Sequence, residues 1–80
     1  MKIPAIKKLV ETQEVHVLMA AEAAIIDEQP LQIEVEGDDE GEQLTHILAA
    51  VWILNHMHET GADFKTSLRE YTKKVRVSIS

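Results

Sequence analysis

Leu44-Thr-His-Ile-Leu-Ala-Ala-Val-Trp-Ile-Leu54, continued by Asn55-His-Met-His-Glu-Thr60 and stopped by Gly61, is the stretch that decides the fold. Leu44, Ile47, Leu48, Val51 and Leu54 recur at helical spacing. Ala50, Trp52 and Met57 widen this stripe to about 220°, against roughly 100° for an ordinary surface helix. Ile53 lies opposite it. Acids at Asp38, Asp39 and Glu40 complement the positive amino terminus of a helix, and Gly61 suits the position just past its end. The spacing therefore predicts a helix from near Asp39 or Glu40 to Thr60, about 20 residues or roughly 30 Å long. So broad an apolar arc needs cover on at least two sides. Either the other helices of the chain supply it or a second copy does. The favoured reading is a homodimer with Leu44, Ile47, Leu48, Val51, Trp52, Ile53 and Leu54 at or near the interface. Ala49 and Ala50 permit close helix approach in either case.

Beyond Gly61, Asp63 is placed to cap a fourth helix, with Phe64, Leu68, Tyr71, Val75 and Ile79 along one face. Lys65, Arg69, Lys73 and Arg76 form a basic stripe beside it. Before the core helix, Gly37-Asp-Asp-Glu-Gly41 is a turn. Leu31–Glu36 alternates apolar with polar, the pattern of a short half-buried extended segment. A lone strand leaves its backbone groups without partners. The segment is thus either a loop packed on helices or a strand paired with its copy in a second subunit. Earlier still, Val15, Leu18, Met19, Ile25 and Ile26 share a face of a helix expected from about Gln13 to Glu28 and ended by Pro30. Ile3, Ile6, Leu9 and Val10 mark a short first helix, with Pro4 in its first turn. The expected architecture is all-α: residues 1–80 as a single domain, a small bundle of three to four helices with one short extended segment at 31–36.

Eighty residues make one domain at most. A chain this short is marginally stable without a staple or a partner. It has no cysteine, which excludes disulfides, thiolate metal sites and Cys nucleophiles. Charge is segregated. No Lys or Arg lies between Lys8 and Lys65, and that gap holds 13 of the 14 acids. The net charge of −6 argues against free nucleic acid and anionic membrane as partners. The longest uninterrupted apolar run, Ile47–Leu54, is far short of a membrane span, and no secretory signal is evident. A cytoplasmic location is expected. Two basic ends around an acidic middle suggest that helices or subunits find each other through charge, with an unidentified protein partner as the alternative.

Few residues invite chemistry. Glu22 interrupts the apolar arc of its helix, and a carboxylate there is costly unless paired or hydrogen-bonded. His56 and His58 point apart on a helix and cannot share an ion. His58-Glu59 begins a zincin pattern, but Ala62 stands where the second histidine belongs. Rim or surface positions are the simpler assignment for all four histidines, and His46 joins a site only with ligands from another helix or subunit. The acidic segment fails as an EF-hand because Ile47 occupies the position of the bidentate Glu. No phosphate-binding glycine loop, nucleophile elbow or Ser-His-Asp pattern is present. The expectation is a non-enzymatic protein-interaction or adaptor module, without metal or cofactor. The alternative is a small-molecule or metal-binding protein, or a minor enzyme, with a site at a dimer seam built from Glu22, His46 or Trp52.

Met1-Lys-Ile-Pro-Ala-Ile-Lys-Lys-Leu9 and the stretch from Glu42 through Tyr71-Thr-Lys-Lys-Val-Arg-Val-Ser-Ile79 resemble a family of small bacterial proteins of Bacteroidetes. The shared motifs are packing patterns, and the resemblance implies no assigned activity.

Overall fold

The computed structural model describes residues 1–79, with side chains through Arg76. Four helices follow one another: α1 (Ile3–Thr12), α2 (Val15–Ile26), α3 (Glu40–Thr60) and α4 (Phe64–Ile79). The fold is an all-α four-helix bundle, with no strand among the described residues. None of these helices is long and apolar enough to cross a membrane.

Local chemistry sets most of the boundaries. Pro4 sits in the first turn of α1, where a missing N–H costs nothing. Asp39 caps α3 by accepting from the Glu42 N–H at 2.8 Å. The Glu42 carboxylate in turn accepts from the Asp38 N–H at 3.0 Å, a close variant of the capping box. Gly61 ends α3 in the left-handed conformation at φ 74°. Asp63 accepts from the Thr66 N–H at 2.8 Å and so starts α4 as expected. Helix α2 is shorter than its sequence suggests and stops at Ile26. Glu28 turns left-handed at φ 57°, and the Gln29 N–H reaches back to the Ala24 carbonyl at 2.7 Å. That backward bond closes the helix before Pro30 can disturb it.

Helix α3 is the hub, packing on α1, α2 and α4. Helix α2 runs antiparallel to it. The start of α2 shares a furrow with Leu54, Asn55 and His58, and its end shares another with Glu40 and Gln43. Helix α4 is antiparallel too, since His56 meets Ser67 and Trp52 meets Tyr71. The core is built from Ile6, Leu9, Leu18, Ile47, Ala49, Ala50 and Ile53, each at most 3% exposed. A buried Leu or Ile contributes about 1.5–3 kcal/mol relative to its exposed state.

The orientation of α3 differs from the stripe that hydrophobicity marks. His46, Ala49, Ala50 and Ile53 are fully buried, whereas Leu48, central in the predicted stripe, is 42% exposed. At 100° per residue the buried face is rotated by about a third of a turn from the predicted one. Ile53, opposite the stripe on the wheel, is therefore a core residue. Of the residues expected at a dimer interface, Ile47, Ile53 and Leu54 are enclosed by the chain's own helices. Leu44, Val51 and Trp52 are half-buried. The reason is that α3 is apolar nearly all round, so the positions of α1, α2 and α4 choose its inner face.

The 31–36 segment is a loop, and its alternation survives as burial. Leu31, Ile33 and Val35 turn inward while Gln32, Glu34 and Glu36 stay exposed. Two of its carbonyls are met by side chains of α3 in place of a second strand. Gln43 Nε2 donates to the Val35 carbonyl at 3.0 Å, and His46 takes the Glu36 carbonyl.

Candidate functional site

At the amino-terminal end of α3, His46 is a polar group with no exposed surface. The Lys2 backbone N–H donates to its Nε2 at 2.9 Å. An amide N–H can only donate, so Nε2 accepts, and in the neutral ring Nδ1 carries the proton and donates to the Glu36 carbonyl at 2.7 Å. One imidazole thus ties the start of α1 and the 31–38 loop to α3. This corrects its assignment as a rim residue, and it leaves neither nitrogen open to a metal or ligand. His46 is buried because α1 and the loop both end against the first turns of α3, each presenting a main-chain group that needs a partner. The signal available beforehand was a histidine, His46, beside the long apolar run Ile47–Leu54.

At the other end, His56 and Ser67 join α3 to α4, with Nδ1 and Oγ 2.8 Å apart. Ser67 is fully buried. Trp52 stacks on His56 at 5.0 Å and 15° between planes, and also meets Tyr71 at 5.6 Å. Burial raises the Tyr71 phenol above its ordinary value of 10.0. A depression of about 270 Å³ lies beside this stack, lined by Trp52, Asn55, His56 and Glu59. A serine without exposed surface cannot reach a substrate, so this Ser–His contact is a seam between helices. Ser67 was legible only as the small residue three positions after Phe64 on the apolar face of α4. Ile79, expected on that same face, lies outside the residues whose side chains are described.

The remaining sequence-derived residues are dispersed. Glu22 is half-buried on α2 and makes no hydrogen bond or ion pair among the described residues. No hydrogen bond or ion pair among the described residues brings it together with His46 or Trp52. Lys65, Arg69, Lys73 and Arg76 are all exposed. Arg69, Lys73 and Arg76 make no ion pair among the described residues. The acidic turn is met instead by the other end of the chain. Lys2 Nζ lies 3.7 Å from Asp38 and 3.9 Å from Glu42. These are exposed pairs of small energetic weight, typically below about 1 kcal/mol. Among the described residues no three His, Asp or Glu side chains gather as a metal ion requires.

No curated protein and no solved structure matches this chain. A family match does exist and spans the whole length: residues 1–80 fit the family of unknown function DUF6952, and the chain belongs to that family.

Proposed function

We propose that this chain is a small non-catalytic protein-interaction module that acts as a homodimer. One observation carries the reading. The polar groups best suited to chemistry, His46, His56 and Ser67, are engaged inside the bundle, while large apolar side chains stand outside it. Met19, Ile26 and Leu48 are 55%, 63% and 42% exposed. Single exposed apolar residues are ordinary, but several on adjoining helices mark a contact surface. Sedimentation tests the proposal: at tens of micromolar the protein should run at twice the chain mass of 9.0 kDa. A clean monomer at that concentration overturns the homodimer. Raising salt to about 1 M shortens screening to roughly 3 Å and should weaken the association if charge contributes to it.

A second reading has one specific observation in its favour. The depression beside the Trp52–His56 stack offers an aromatic face, an amide and a carboxylate to a small molecule. Thermal-shift measurements against metals and small metabolites separate the two. A large stabilisation that also changes Trp52 fluorescence supports the binding site, and its absence leaves the interaction module.

A further inference from the structure

The open side of the α2–α3 layer carries a carboxylate with nothing opposite it. Met19, Glu22 and Ile26 lie at i, i+3 and i+7 of α2 and so share one side of that helix. Met19 lines a furrow with Leu54 and Asn55 of α3. The antiparallel register then carries Glu22 to the level of Val51 and Ile26 to that of Leu48. Glu22 is half-buried and has no partner among the described residues. A carboxylate on an apolar surface calls for a cation when that surface is covered. Neither α2 nor α3 contains a Lys or Arg. The last helix does: Arg69 and Lys73 are exposed and unpaired among the described residues.

We infer that a second copy of this chain covers the open α2–α3 face, with Leu48 in the contact and Glu22 held by Arg69 and Lys73 from α4 of that copy. The inference rests on the homodimer proposed above and adds its surface and its charge pairing. In a two-fold assembly each such pairing occurs twice, so one carboxylate and one basic stripe per chain satisfy both seams. The apolar residues supply the buried area and the charges select register and partner. This also accounts for the segregation of charge along the chain: the cations are kept off the helices that form the face.

Charge reversal tests the arrangement. Glu22→Lys sets cation against cation at both seams, and the pair Arg69→Glu with Lys73→Glu sets acid against acid. Each protein alone should dissociate about tenfold or more readily than the parent chain. Mixed in equal amounts they should form a heterodimer, because both seams then pair opposite charges. Leu48→Asp should give a monomer with unchanged helical circular dichroism, since Leu48 is exposed in the single chain. A parent chain that sediments as a monomer overturns the homodimer and this face together. A dimeric parent whose Leu48→Asp and Glu22→Lys forms stay dimeric overturns the face and leaves the homodimer standing. Charge-reversed proteins that fall apart singly and do not combine when mixed overturn the pairing of Glu22 with α4.

Discussion

His46 and His56 stand on the same helix, and each joins α3 to another part of the chain, but their partners differ in kind. His46 is fully enclosed and holds two main-chain groups, the Lys2 N–H and the Glu36 carbonyl. His56 is half-buried and holds one side chain, the Ser67 hydroxyl, with Trp52 stacked against its ring. A main-chain group cannot rotate away when its partner is lost, whereas a serine hydroxyl on a helix can rotate to the carbonyl four residues back. The amino-terminal end of α3 should therefore tolerate change poorly and the carboxyl-terminal end well.

The comparison is tested most severely by replacing each histidine. His46→Ala leaves two part-buried backbone groups without their partner and opens a cavity, so a loss of about 3–5 kcal/mol is expected in chemical denaturation. Amide exchange at Lys2 should rise with it. His56→Ala should cost only about 1–2 kcal/mol. Equal losses at the two sites would break the contrast.

The two glycines that flank α3 extend it. A Cβ at Gly37 would stand 2.8 Å from the Gln43 backbone N, and backbone cannot move aside cheaply. Gly37→Ala is expected to cost about 2–3 kcal/mol through overpacking. A Cβ at Gly61 meets nothing within 4 Å, leaving only the strain of φ 74°. Gly61→Ala should then cost about 1 kcal/mol. Thermal melts of the two variants, set beside the parent, decide whether the amino-terminal end of α3 is the stiffer one.

Smaller effects sharpen the carboxyl-terminal side. Ser67→Ala should lower stability by about 1 kcal/mol. In a double-mutant cycle with His56→Ala the two should couple, because they remove the same bond. Trp52 is the single tryptophan, so its fluorescence reports this seam alone. Tyr71 is likewise the single tyrosine, and its ultraviolet titration should have a midpoint above 10.0. Its folded value is raised, so its contribution to stability is complete below the ordinary value and is lost as pH rises through the raised one. Asp63 runs the opposite way. Hydrogen bonds from Thr66, with a smaller contribution from the Lys65 charge, hold its carboxyl below 3.8. The cap is complete above that value and is lost as pH falls through the lowered one. Because Asp63 is fully exposed, the acid effect should be the smallest of all, a slight early loss of α4 helicity that Asp63→Asn shifts.

Much of the fold was legible before any coordinates because it rests on local chemistry. Asp39, Gly61 and Asp63 set helix ends through hydrogen bonds within a few residues of themselves, and Pro4 does so by its fixed φ and missing N–H; such signals survive in any tertiary setting. The end of α2 was missed by two residues because Glu28 adopts a left-handed turn that nothing in its side chain announces. The burial of His46 was missed for a deeper reason. Its partners are a main-chain N–H 44 positions earlier and a carbonyl 10 positions earlier, and neither leaves a mark in residue identity. The 31–36 segment shows both sides at once: its alternation foretold which side chains turn inward, but not that α3 side chains would take the place of a neighbouring strand.

Helix α3 draws the same line within one element. Its existence, length and caps follow from the residues between Asp39 and Gly61. Its inner face does not, because leucine, isoleucine, valine and alanine surround most of its circumference and every orientation buries apolar surface. Only the packing of α1, α2 and α4 selects among those orientations, placing His46 and Ile53 inside and Leu48 outside. Hydrophobic burial is non-directional, so a helix whose middle is apolar on most sides takes its direction from its neighbours.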